Sequence, residues 1–205
     1  MQRIKNTQTK DYIAEAIRNE ILAGNIAAGE ELTQEALAEM LGVSRMPVRE
    51  ALQTLVQEGF VERLPNRHMQ AVALSCEQIQ ETFRLIAMLE AEIASMLLEK
   101  ESDLGKIYDL IENIKNEKSE TNRIQLELRF HTLLVSLLDN KYLEQTYGKL
   151  MSGYVSYAIE NLGRSEAKAD LLNEVQAVMQ KNSIPDLKEI FLKYYMYYAG
   201  QFISK

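Results

Sequence analysis

The sequence predicts a mainly α protein: a small N-terminal unit of short helices closed by a single β-hairpin, followed by an all-α helical bundle. Three observations carry that expectation. Apolar residues recur at helical spacing through almost the whole chain. Prolines stand only at positions 47, 65 and 185, and one stretch alone, Phe60 to Leu74, has the composition of paired strands. The boundary falls near residue 72, dividing the 205 residues into units 1–72 and 73–205.

Each element has its own signal. Ile13, Ala16, Ile17 and Ile21 share one face of a first helix that starts near Thr9 and ends at Gly24. After a linker, Asn25 to Glu31, Thr33 caps a compact second helix whose apolar residues are Ala36, Leu37, Met40 and Leu41, and Gly42 ends it. Ser44 is placed to cap a third helix. Pro47 sits in its first turn, where a missing N–H removes no hydrogen bond. Val48, Ala51, Leu52 and Leu55 form its apolar stripe, and Gly59 stops it. Two strands follow around Pro65, Asn66 and Arg67. Ser75 and Gln78 have capping-box spacing at the start of a long helix. From there the pattern predicts helices over 76–100, 103–117, 121–138, 140–162, 166–181 and 185–203.

Composition excludes several classes. With 46% hydrophobic and 26% charged residues the chain is ordinary for a globular protein. No apolar run reaches the ~18 residues that a spanning helix needs, and the first ten residues lack the apolar core of a signal peptide, so a cytoplasmic protein without a membrane partner is expected. One cysteine rules out an intramolecular disulfide, and with two histidines it rules out a zinc finger. No Gly-rich phosphate loop, nucleophile elbow or carboxylate/His constellation points to an enzyme. The net charge of −7 opposes nucleic-acid binding as a sum, but the placement of the cations decides that question.

Helix, Gly turn, second helix and hairpin, in that order, make a winged helix-turn-helix. The helix after the turn must offer its N-terminal residues to base edges. Arg45 and Arg49 lie one turn apart there, each able to fork onto a guanine edge or a phosphate. Ser44 and the free N–H groups of the first turn suit a phosphate oxygen, and the hairpin tip, Asn66, Arg67 and His68, can reach the flanking groove. Two isolated arginines would read as a solvated helix end; the surrounding pattern reverses that reading.

The run from Leu37 through Gly42, Ser44, Arg45, Pro47 and Arg49 to Leu52, followed by Leu55 and Glu58-Gly59-Phe60-Val61, closely resembles the DNA-binding domain of the GntR family. Ile21, Gly24, Ile26, Gly29 and Leu32 match its entry segment. The resemblance implies base and phosphate contacts from Ser44, Arg45, Met46, Arg49 and the wing tip. Two departures bear on operator details. Glu35 stands where some members place a DNA-contacting arginine, and the wing has Asn66, Arg67 and His68 in place of the usual glycine.

Phe83 to Glu90, Glu127-Leu128-Arg129-Phe130-His131 and Asp139-Asn140 resemble motifs of the FCD domain, the helical effector-binding and dimerisation module of FadR-like members. The resemblance implies an effector pocket near Glu127, His131, Asn173 and Tyr194. Many FCD domains hold a divalent metal with one Asp and three His. Here Glu127 and His131, spaced i, i+4, would be the ligands if one were bound, but the remaining histidines are missing, so no metal is favoured. A buried hydrogen-bonded pair of Glu127 with His131 is expected instead. The run Tyr194-Tyr195-Met196-Tyr197-Tyr198 cannot share one helical face and reads as core or interface packing. The expectation is therefore a homodimeric, ligand-responsive regulator on a short palindromic double-stranded DNA operator, with a small-molecule effector. The rivals are an enzyme or an architectural protein with an accessory DNA-binding head.

Overall fold

In the first unit the apolar stripes meet as their spacing requires. Helix α1 (Asn6–Leu22) buries Ile13, Ile17 and Ile21, joined by Ala14 where Ala16 was expected, and packs chiefly on α3 (Arg45–Glu58). Arg18 ties the two together: Nη2 lies 2.5 Å from Glu58 Oε2, and the guanidinium stands 5.6 Å over the Phe60 ring. Between them in sequence, α2 (Gln34–Leu41) begins at Thr33, whose hydroxyl accepts from Ala36 N at 3.2 Å. Val48, Ala51, Leu52, Leu55 and Phe60 are fully enclosed, and each large side chain there contributes about 1.5–3 kcal/mol by leaving water.

The hairpin strands are β2 (Val61–Arg63) and β3 (Met69–Ala71), antiparallel with Val61 opposite Ala71. A third strand, β1 (Glu31–Leu32), pairs on the other edge of β3, giving the order β1-β3-β2. The linker reading of Asn25 to Glu31 is corrected at its end. Two residues are too few to show a period-2 pattern, and the pairing arises because an open edge of β3 is there to receive them.

The described residues are 6–163 and 165–203, and they divide into the compact units Met1–Ser75 and Cys76–Lys205. These come from a computed structural model. The second unit is built of α4 (Cys76–Glu99), α5 (Gly105–Asn116), α6 (Glu120–Ser136), α7 (Lys141–Met151), α8 (Tyr154–Asn161), α9 (Ser165–Gln180) and α10 (Ile184–Ile203). The single helix expected over 140–162 is two. Gly153, at φ 83° and ψ −125°, takes a backbone conformation that only glycine enters readily, and it breaks the run between α7 and α8. Asn140 caps α7, accepting from Tyr142 N and Leu143 N at 3.1 and 3.2 Å.

Helix α10 packs most extensively on α4. On α4, Ala87, Ala91 and Ala94 recur at i, i+4 and i+7 and are buried, leaving a shallow face. Facing bulk comes from Phe191, Tyr194, Tyr195 and Tyr198 of α10, all with no exposed surface. Among the described residues no helix is long and apolar enough to cross a membrane.

Candidate nucleic-acid interface and buried polar cluster

The exposed candidates gather on one side of the first unit. Helix α3 turns its apolar stripe wholly inward, so Arg45, Met46 and Arg49 at its start are solvent-exposed, Met46 at 66%. Ser44 takes the N-cap position with extended backbone, but its side chain makes no capping hydrogen bond, contrary to the expectation. Its hydroxyl and the first-turn N–H groups of α3 are thus available to an anion.

The wing tip is closed without glycine. Arg67 N donates to Leu64 O at 2.9 Å, Leu64 N to His68 O at 2.9 Å, and His68 N to Asn66 Oδ1 at 3.1 Å. Arg67 carries the positive φ, 70°, that a glycine would otherwise take. Asn66, Arg67 and His68 are all exposed. A groove of about 310 Å³ runs between the wing and the start of α3, lined among others by Arg45, Arg67 and His68, with Glu31 and Glu35 on the same walls. Glu35 Oε1 pairs with Arg45 Nη2, and Glu31 Oε1 lies 2.6 Å from His68 Nδ1. Sequence reasoning noted Glu35 only as a departure and missed Glu31.

The second unit holds a polar cluster with no exposure to solvent. His131 Nδ1 lies 2.7 Å from Glu90 Oε1, and Nε2 lies 2.9 Å from Tyr194 OH. Tyr194 OH donates to Glu127 Oε1 at 2.5 Å, and Tyr198 OH donates to the same oxygen. Tyr147 OH donates to Glu90, while Tyr195 OH stands 3.2 Å from His131 Nδ1. The expected direct pair of Glu127 with His131 is therefore corrected: Tyr194 bridges them, and the carboxylate that meets His131 is Glu90. The i, i+4 spacing places both on one face of α6, but the large ring of Tyr194 enters between their polar ends. Asn173 on α9 is half-buried and takes no part in these hydrogen bonds.

Proton counting constrains the cluster. Tyr194 has one hydroxyl hydrogen, and once it goes to Glu127 its oxygen can only accept from His131 Nε2. Nε2 is then the hydrogen-bearing nitrogen toward Tyr194, while Nδ1 lies between Glu90 Oε1 at 2.7 Å and Tyr195 OH at 3.2 Å. Lys168, 2% exposed, adds an ammonium that donates to Ile159 O at 2.6 Å and lies 4.0 Å from Glu127 Oε2. Burial draws the lysine below its ordinary pKa, with the Glu127 charge opposing. Burial first, then the neighbouring carboxylates, push the hydroxyls of Tyr147, Tyr194, Tyr195 and Tyr198 well above the usual tyrosine value, so they serve as donors. Glu90 Oε2 and Glu127 Oε2 are buried without a hydrogen-bond donor among the described residues.

This donor set does not fit the divalent metal that the FCD resemblance raised. Around Glu127 and His131 stand tyrosine hydroxyls and a lysine ammonium, and the ammonium repels a second cation at the same carboxylate. No three His, Cys, Asp or Glu side chains converge on one point among the described residues.

The family description "Bacterial regulatory proteins, gntR family" matches residues 9–69, and "FCD domain" matches residues 81–180. The first unit thus carries a gntR-family domain and the second an FCD domain. The FCD match ends before α10, which brings Tyr194, Tyr195 and Tyr198 to the buried cluster. Among similar proteins, the gluconate operon transcriptional repressor of Bacillus subtilis (strain 168) is 28% identical over 153 residues, 72% of this chain and 62% of that protein. The HTH-type transcriptional repressor GlaR of Escherichia coli (strain K12) is 25% identical over 77% of this chain and 76% of its own length. The chain spans about three fifths of the length of several curated relatives it matches. The solved structure of Lar, which controls the expression of the Listeria monocytogenes agr system, covers 95% of this chain and 96% of its own. Its TM-score is 0.68 at 17% identity, a likeness of fold.

Proposed function

We propose that this gntR-family protein is a cytoplasmic, sequence-specific DNA-binding transcriptional regulator. It acts as a homodimer whose two α3 helices read half-sites of a short palindromic operator, and its helical unit responds to a small-molecule effector. The observation that carries the reading is the α3 start. Arg45 and Arg49 project from a helix whose opposite face is locked in the core, and the exposed wing tip shares a groove with Arg45. That rigidity lets cations meet base edges at fixed spacing. Two repressors among the relatives support the regulatory role.

For the effector, the two buried carboxylate oxygens without donors favour a molecule that offers hydroxyl or amine hydrogens. Thermal shift with a panel of polyols and amines checks this, and stabilisation by carboxylates alone would contradict it. The central test is DNA binding by the full chain to a duplex it selects from a randomised pool. Arg49→Ala is expected to cost about 1–3 kcal/mol there. Unchanged affinity would remove α3 as the reading helix.

A further inference from the structure

Two acidic side chains stand inside the face assigned to DNA. Glu35, on the first turn of α2, pairs with Arg45 at the start of α3, and Glu31 of β1 lies 2.6 Å from His68 of the wing tip. Both pairs line the same groove, together with Arg67. On a surface built to meet phosphates, carboxylates oppose binding at every sequence alike. Their placement beside the very cations that face DNA calls for a role.

We infer that Glu35 is a specificity-determining residue of the DNA face, with Glu31 acting in the same sense at the wing; this rests on the DNA-reading assignment above. In the free protein Glu35 holds the Arg45 guanidinium at one edge. Arginine has five donors in a planar fork, so one edge can stay on Glu35 while the other reaches O6 and N7 of a guanine. A guanine in register thus gains an oriented reader. At any other sequence, Arg45 must leave Glu35 to reach a phosphate, and the freed carboxylate then lies beside the DNA backbone. The pair is exposed on both sides, 65% and 71%, and exposed ion pairs are weak. It therefore grades affinity between sequences without blocking binding.

The plainer role for Glu35 is to complement the α2 dipole from the first turn, and a first-turn acid does so in many helices. The two roles separate in one experiment. Full-length wild type, Glu35→Gln, Glu35→Asp and Arg49→Ala are titrated with the duplex selected by wild type and with a scrambled duplex of equal composition, at several salt concentrations. Glu35→Gln is expected to bind the scrambled duplex about tenfold more tightly, with the selected duplex changed by no more than about threefold, so the specificity ratio falls. Glu35→Asp keeps the charge and should keep most of the ratio. A helix-dipole role alone would lower the melting temperature slightly and leave the ratio untouched, which overturns the inference. If Arg49→Ala also leaves both affinities unchanged, the DNA-face assignment fails, and the role of Glu35 fails with it.

Discussion

The two polar sites of this protein are built on opposite terms. On the first unit, Arg45, Arg49 and Arg67 stand in water on a rigid apolar base, and the Arg45–Glu35 ion pair is exposed. In the helical unit, Glu90, Glu127 and His131 are enclosed with four tyrosines that link them through hydrogen bonds, and the buried Lys168 ammonium lies 4.0 Å from Glu127. An exposed cation is solvated before and after it lets go of its partner, so it is free to exchange a carboxylate for a nucleic acid. A buried charge has no such alternative. Losing one member strands the rest away from water, where an unpartnered charge costs several kcal/mol. The first site is suited to contact, the second to being set in one state or another.

The contrast is broken most directly at Glu127. Glu127→Leu removes the acceptor of Tyr194 and Tyr198 and strands the Lys168 ammonium. Thermal or denaturant unfolding should show a loss of about 3–5 kcal/mol, and adding Lys168→Met should recover part of it. A loss no larger than that of an exposed substitution would erase the distinction between the sites. By comparison, the Arg49→Ala variant should melt like wild type while losing DNA.

Alkali offers the next largest effect. The folded tyrosines have pKa values raised above the ordinary value of 10.0, by burial first and by Glu90 or Glu127 next. Their stabilisation is present below that value and is lost as pH rises above it, because the unfolded chain releases these protons first. Circular dichroism and tyrosinate absorbance should therefore change together above about pH 10. Full ionisation of all ten tyrosines with the helices intact would contradict the buried cluster.

The smallest effect sharpens the exposed side of the comparison. Arg67→Gly relieves the positive φ at the wing tip and should raise stability by up to about 1 kcal/mol, while lowering the salt dependence of DNA binding by about one ion. A variant that keeps the full salt slope would take the wing tip off the DNA.

Much of this was legible in the residues because the signals are local. The α3 helix announces itself through Gly42, Pro47 and four apolar residues at helical spacing, and its cations lie within five positions of one another. The wing needed only a turn between two short apolar runs. Breaks inside helical pattern were harder: Gly153 interrupts 140–162 without a proline or polar cluster to mark it, and β1 is too short to show alternation.

What the sequence by itself determined was therefore the order and type of the elements and the α3 surface; the FCD resemblance, not the pattern, set Glu127, His131 and Tyr194 near one another, along with Asn173, which stands outside the cluster. Period and capping act over a few residues and need no knowledge of the rest of the chain. Only the tertiary structure decided who pairs with whom. Glu90, Tyr147, Lys168 and Tyr198 reach the site from four different helices, up to 108 positions apart (198 − 90), and Glu35 meets Arg45 across a turn. The physical reason is the same in both places. Burial and Coulomb attraction act through space, and which carboxylate a histidine or arginine meets depends on how helices cross, which the pattern along a single helix does not encode.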